Sequence, residues 1–180
     1  MNKSLKTIQI LSKIGRILSK IVFVVCIVGA ALCLTGLICV GVGTTDLIEI
    51  RGVTIHSILS EVPEISLGTT YAALAVGLTI CLGEIFKAKF AERYFTNELQ
   101  DGTPFTERGA KEMLRLGIIS ISISLGTSIL SNISHDVISH SFTNVEELEI
   151  SSFTGIGLGV AFLIFSVVFR YGASLKEKEE

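Results

Sequence analysis

Charged residues are scarce in this sequence: they make up 18% of its 180 residues, whereas 49% are hydrophobic. A soluble domain of this length normally carries more charge and fewer apolar residues. The composition therefore argues against an ordinary soluble enzyme or binding domain and directs attention to a membrane. No linker or low-complexity tract divides the chain, which indicates one domain.

The sequence also lacks the motifs of common catalytic and metal centres. It contains no H-E-x-x-H, G-x-S-x-G or P-loop motif, and no pair of acids in a catalytic arrangement. The four cysteines lie in apolar stretches, and none forms the C-x-x-C pair of a zinc or redox site. We therefore predict a non-enzymatic protein with no catalytic residue, no cofactor and no metal site.

Four apolar stretches are long enough to cross a bilayer, because about 20 helical residues span about 30 Å of hydrocarbon. The predicted fold is an all-α membrane protein whose four transmembrane helices cover about residues 21–43, 65–86, 113–134 and 150–170. The third stretch is diluted by serines, whose hydroxyls must find partners on their own or neighbouring helices.

The basic residues predict the orientation of these helices. Counted from the N-terminus, the segments outside the uncharged cores of these stretches (21–43, 65–83, 116–134 and 150–169) contain five, one, six, zero and three Lys or Arg residues. Short cytoplasmic segments are the ones enriched in Lys and Arg. Both termini and a hairpin of about residues 87–112 are thus predicted in the cytoplasm, with outer loops at about 44–64 and 135–149 and the cell membrane as the location.

The two outer loops are acidic and hold all three histidines, His56, His135 and His140. Apolar and polar residues alternate on both sides of Arg51 and Gly52, which predicts a small β-hairpin cap, with a third strand at 145–151. His135 and His140 are five residues apart, a poor spacing for one helix face. A solvated loop is the favoured interpretation, and a role for the histidines stays open.

The cytoplasmic hairpin contains the stretch "DGTPFTERGAK", residues 101–111. Gly102 and Pro104 predict a turn, and Thr106 is a suitable N-cap for the helix that follows. Phe105 is predicted to pack on Ala110, although that contact would cover only part of its ring. Just before the hairpin, Glu84 is expected to pair with Lys87.

Small residues four apart predict close helix packing in three of the helices. The pairs are Ala73 and Gly77, Ser122 and Gly126, and Gly155 and Gly159. Packing inside one bundle is the simpler interpretation, and a homodimer interface is the alternative.

Two motifs together resemble a bacterial four-span membrane family known as domain of unknown function family 2975. One is G-T-P-F-T, residues 102–106, followed by "MLRLG"; the other is the tail "VFRYGASLKEKEE" after the fourth span. The resemblance covers most of the chain, although family tails often continue past the acids. It implies no established activity, but relatives encoded beside small helix-turn-helix regulators suggest a regulatory role.

These observations favour a regulatory or partner-binding membrane protein that acts through its cytoplasmic hairpin and tail. The candidate partner-binding residues are Phe105, Thr106, Arg108 and Lys111. Besides the lipid bilayer, the expected partner is a cytoplasmic protein such as a small helix-turn-helix regulator, with no direct contact to nucleic acid. Two alternatives remain: an immunity or envelope-stress protein acting at the acidic outer cap, and a small oligomeric pore or transport component.

Overall fold

Four long helices dominate the computed structural model, which describes residues 3–42, 49–50, 53–54, 66–142, 145 and 153–179. They are α1 (Lys3–Val42), α2 (Leu67–Asp101), α3 (Glu107–Ser141) and α4 (Phe153–Glu179). Each is long and apolar enough, by length and composition, to cross a membrane. The prediction of an all-α protein with four candidate membrane-spanning helices is confirmed at this level.

A very short antiparallel ladder follows α1. Strand β1 (Glu49–Ile50) pairs with β2 (Val53–Thr54), so that Glu49 lies opposite Thr54 and Ile50 opposite Val53. The predicted turn residues 51–52 lie outside the described residues, as does the predicted third strand except for Val145. His56 also falls outside them. The β-hairpin cap therefore stays a prediction.

All four helices extend beyond the apolar stretches that predicted them. Helix α1 begins at Lys3 rather than near residue 21, and Ile10, Ile14 and Ile17 form an exposed apolar stripe on this extension. Helix α3 continues through Ser141, so His135 and His140 lie on a helix where a loop with a turn was expected. Helix length here follows from local propensity and packing as well as from hydropathy.

The described residues fall into two compact units. The first takes its members from residues 1–26, 83–126 and 151–180, and the second from residues 27–82 and 127–150. Helices α1, α2 and α3 contribute residues to both units, whereas α4 belongs wholly to the first.

In the second unit, α1 and α2 pack antiparallel through small residues. A β-carbon on Gly29 would lie 3.1 Å from Sγ of Cys81, and one on Gly77 would lie 3.2 Å from Sγ of Cys33. Gly77 thus faces α1, whereas Ala73, its predicted companion, is exposed. Larger side chains at the two glycines would force the helices apart.

The beginning of α2 is also fixed within the second unit. The Ser66 hydroxyl accepts a hydrogen bond from the backbone N–H of Thr69 at 3.1 Å, which is the geometry of an N-cap. One turn later, the ring of Tyr71 stacks on that of Phe142, with centroids 5.4 Å apart. The start of α2 is therefore attached to the segment that follows α3.

The core of the first unit contains Tyr94, Met113 and Leu116, against which partly buried aromatic residues of α2 and α4 pack. Helices α3 and α4 cross closely: a β-carbon on Gly117 would lie 3.0 Å from the carbonyl oxygen of Gly159. Nearby, the Ser166 hydroxyl donates a buried hydrogen bond of 2.9 Å to the carbonyl of Ala110. This crossing joins α4 to the part of α3 that belongs to the hairpin.

The residues of α3 that meet α4 differ from those that the spacing suggested. Gly159 lies against Gly117 and Ile121, and a side chain at Gly155 would clash with Ser124. Ser122 and Gly126 are exposed, and no atom of the described residues lies within 4 Å of a β-carbon built on Gly126. Gly155 and Gly159 therefore pack on a different face of α3 from the one that carries Ser122 and Gly126.

Candidate functional site

The turn between α2 and α3 begins with a left-handed residue. Gly102 has a φ of +74°, and its N–H donates a hydrogen bond of 3.0 Å to the carbonyl of Glu98. A residue with a side chain is strained in this conformation, whereas glycine adopts it freely. Gly102 thus ends α2 as a C-terminal glycine cap. The turn that the sequence predicted at this residue is confirmed.

The start of α3 is capped by Thr106. Its hydroxyl oxygen accepts a hydrogen bond of 2.9 Å from the N–H of Gly109, which confirms the predicted N-cap. Gly109 allows the turn to fold onto the helix, because a β-carbon there would lie 2.6 Å from the carbonyl oxygen of Pro104. Local hydrogen bonding and this close approach together define the shape of the hairpin tip.

The side chain of Phe105, at the tip of the hairpin, contacts helix α4. Its ring meets that of Phe169 edge-on, and a β-carbon on Gly172 would lie 2.6 Å from Cδ1 of Phe105. Because Gly172 has no side chain, the ring of Phe105 can occupy the space beside it. The sequence predicted partial cover of this ring by Ala110; the structure adds Phe169 and Gly172 of α4. The two motifs that carried the family resemblance thus touch each other.

The hairpin surface carries a series of ion pairs. Arg108 lies 3.6 Å from Asp101 and 3.4 Å from Glu112, while Lys111 lies 2.9 Å from Glu107. The Lys111 ammonium, through a hydrogen bond and its charge, lowers the pKa of the exposed Glu107 carboxyl. Such exposed pairs stabilise a fold little, so they matter mainly for the charge pattern of the surface.

A groove of about 280 Å³ lies between α3 and α4 beside this surface. Its lining residues are Glu107, Ala110, Lys111, Leu114, Ser166 and Arg170. Leu114 is 44% exposed and contributes apolar surface, whereas Arg170 together with the Lys111–Glu107 ion pair gives the rim a net positive charge. Lys111 is among the predicted partner-binding residues, whereas Leu114 and Arg170 are not, although Arg170 is the first charge after the uncharged residues 150–169.

A polar cluster joins the extension of α1 to the end of α2. Glu98 forms side-chain hydrogen bonds with Ser12 and Tyr94, both of which are buried. Burial raises the pKa of the Glu98 carboxyl, and the two hydrogen bonds oppose that shift only in part. Glu98 lies beyond the apolar part of α2, within residues 87–112, where it fastens α1 to the hairpin.

The remaining candidate residues interact in pairs and do not form larger clusters among the described residues. Glu84 and Lys87 form the predicted ion pair. Nδ1 of His140 lies 2.8 Å from the carbonyl oxygen of Asp136 on the preceding turn of α3. Across the described ranges, no group of three His, Cys, Asp or Glu residues is arranged to hold a metal ion.

Comparisons with protein-family models, curated proteins and solved structures found no match to this chain. The resemblance to domain of unknown function family 2975 therefore stays a prediction that rests on the two motifs.

Proposed function

We propose that this chain is a non-enzymatic, regulatory membrane protein that holds a cytoplasmic protein at the groove between α3 and α4. In this proposal both termini and the hairpin lie in the cytoplasm, and the four helices cross the cell membrane. The distribution of Lys and Arg supports that orientation, with fourteen of the fifteen on the proposed inner side.

The contact of Phe105 with Phe169 and Gly172 is the observation that carries the proposal. It joins the hairpin tip to the tail helix, so the two segments present one surface. A partner bound at the groove would contact both segments at once. Its presence would then be transmitted to the packing of α3 on α4, which gives a physical route from binding to regulation.

The groove favours an occupant with acidic and apolar side chains. Arg170, together with Lys111 and its ion-pair partner Glu107, gives the rim a net positive charge, and Leu114 supplies exposed apolar surface. An amphipathic helix with an acidic edge has the complementary pattern. We expect such a helix on a cytoplasmic protein, and a small helix-turn-helix regulator is the candidate that the family resemblance favours.

The test uses a photo-cross-linking amino acid placed in living cells at positions 111, 114 and 170. The proposal predicts one adduct of the same mass from all three positions. The double variant Lys111→Gln/Arg170→Gln, with the cross-linker at 114, should lose that adduct. The control variant Lys6→Gln/Lys13→Gln removes the same charge from exposed residues of α1 and should keep it.

Melting curves of the purified variants establish that a lost adduct is not the result of unfolding. Arg108 is left unchanged in this test because it pairs with Asp101 and Glu112, so its reversal would also disturb the hairpin. Absence of a common adduct, or an adduct that survives in Lys111→Gln/Arg170→Gln, would contradict partner binding at the groove.

A further inference from the structure

Arg93 and Arg115 differ from the other basic residues of α2 and α3. Neighbouring cations have carboxylate partners: Lys89 lies 3.2 Å from Glu92, and Arg108 lies 3.4 Å from Glu112. Within the part of the chain that the structure describes, no carboxylate lies within 4.0 Å of either arginine side chain. Both residues are exposed. Their guanidinium groups are therefore available to an anionic ligand.

The two arginines line one depression between α2 and α3. Its other lining residues are Phe90, Tyr94, Glu112 and Leu116, of which Tyr94 and Leu116 are buried and form an apolar floor. Glu112 is the one acid among them. Asn97 donates a hydrogen bond of 2.7 Å to it, and Arg108 also pairs with it, so its charge is largely satisfied.

The depression lies level with the ends of two apolar stretches. Lys20 is the last charged residue before the uncharged stretch of α1, and its Nζ lies 3.7 Å from Glu92, the residue before Arg93. Arg115 is likewise the last charged residue before the uncharged stretch of α3. Lipid headgroups are expected where charged residues give way to uncharged helix.

We propose that Arg93 and Arg115 bind the phosphate of an anionic phospholipid headgroup. Guanidinium groups bind phosphate oxygens in bidentate fashion, and two from adjacent helices more than neutralise the single negative charge of one phosphodiester. The exposed ring of Phe86 and the partly exposed ring of Phe90, both on α2, provide apolar surface for the acyl chains. These apolar contacts favour a lipid over a free phosphate, which has nothing to place against them.

The test measures lipid binding to the full-length protein by native mass spectrometry. The protein is titrated with equimolar phosphatidylglycerol and phosphatidylcholine in mixed micelles. We expect the wild-type chain to retain one phosphatidylglycerol in clear preference to phosphatidylcholine. Arg93→Gln/Arg115→Gln should weaken phosphatidylglycerol binding at least about tenfold, the scale expected for two basic residues at an anionic surface. Millimolar glycerol phosphate, which lacks acyl chains, should not displace the bound lipid.

Lys6→Gln/Lys13→Gln is the matched control, because it removes the same charge from exposed lysines of α1. It should bind phosphatidylglycerol as the wild type does. Equal losses in both double variants would overturn the proposal in favour of bulk charge, and so would undiminished binding in Arg93→Gln/Arg115→Gln.

Two further measurements keep the test decisive. Displacement by glycerol phosphate would identify a free-phosphate site and overturn the lipid assignment. If Arg93→Gln/Arg115→Gln does not fold, Arg93→Lys/Arg115→Lys takes its place, because it retains the charge but loses the bidentate geometry. This variant should bind phosphatidylglycerol measurably more weakly than the wild type. Unchanged binding would contradict the site. None of these measurements depends on a protein partner at the α3–α4 groove.

Discussion

The ring of Phe105 meets the ring of Phe169 edge-on, with centroids 5.5 Å apart and an interplanar angle of 85°. Edge-to-face pairs of this kind contribute about 0.5–1.5 kcal/mol beyond the burial of their surfaces. The contact connects a residue of the hairpin tip with a residue near the end of the fourth apolar stretch. It therefore makes the shape of the hairpin depend on α4.

The first prediction concerns this pair. Phe105→Ala should destabilise the protein by about 2 kcal/mol, less than for a fully buried phenylalanine because the ring is 37% exposed. Phe169→Ala supplies the second arm of a double-mutant cycle, measured by denaturation in detergent. A coupling of about 0.5–1.5 kcal/mol is expected. Strictly additive effects of the two substitutions would show that the rings do not stabilise each other.

The N-cap of α3 gives a second prediction. Thr106→Ala should cost about 1 kcal/mol, because it leaves the N–H of Gly109 without the hydroxyl that now accepts its hydrogen bond. Thr106→Ser retains that hydroxyl and should melt within a few tenths of a kcal/mol of the wild type. Equal melting of the alanine and serine variants would contradict the capping role.

Gly109 and Gly126 provide a matched pair for the third prediction. Glycine to alanine inside a helix normally stabilises by up to about 1 kcal/mol. Gly126→Ala should follow that rule, since its β-carbon meets no described atom within 4 Å. Gly109→Ala should instead lower the melting temperature, because its β-carbon would lie 2.6 Å from the carbonyl oxygen of Pro104. A stabilising Gly109→Ala would show that the tip does not fold onto the helix in this way.

The crossing of α3 and α4 gives a fourth prediction. Gly155→Leu/Gly159→Leu should lower thermal stability in detergent by several kcal/mol, since Gly159 lies against the backbone of Gly117. Gly126→Leu, on the exposed face of α3, is the control and should melt near the wild type. Normal melting combined with loss of a cross-linked dimer would instead assign the glycines of α4 to a homodimer interface.

Glu98 predicts a dependence of stability on pH. Because the pKa of its carboxyl is raised in the folded state, the folded protein binds the proton more tightly than the unfolded chain. Its contribution to stability is thus full at low pH and declines as the pH rises from about 4.5 through the raised pKa. Glu98→Gln should remove this decline and raise the melting temperature at neutral pH.

The control for that experiment is Glu107→Gln, because the pKa of Glu107 is shifted in the opposite direction. Melting curves between about pH 4 and pH 8 make the comparison. If Glu98→Gln melts with the pH profile of the wild type, or less stably at neutral pH, the ionised Glu98 carboxylate is stabilised by its surroundings and the interpretation is wrong.

Hydropathy and local rules predicted much of this structure from the sequence. The four apolar stretches, the turn at Gly102 and the cap at Thr106 depend on neighbouring residues alone, so the sequence encodes them directly. The contacts between helices could not be predicted in the same way. Lipid and protein neighbours are equally apolar, so polarity does not reveal which face of a membrane helix packs inward.

Particular residues illustrate that limit. The spacing suggested Ser122 and Gly126 as packing positions of α3, yet Gly117, Ile121 and Ser124 are the residues that meet α4. The partner of Phe105 is more than sixty positions away in sequence, at Phe169. The groove residues Leu114 and Arg170 were missed for the same reason, because only tertiary packing brings α3 and α4 together.

The location of the hairpin in the cytoplasm is the claim on which the proposed function most depends. It is measured by labelling single cysteines with a membrane-impermeant thiol reagent in intact cells, after the four native cysteines are replaced by alanine. Gln100→Cys and His140→Cys are suitable because both positions are exposed. We expect labelling of His140→Cys in intact cells and of Gln100→Cys only after permeabilisation. Labelling of Gln100→Cys in intact cells, with none of His140→Cys, would contradict the cytoplasmic location.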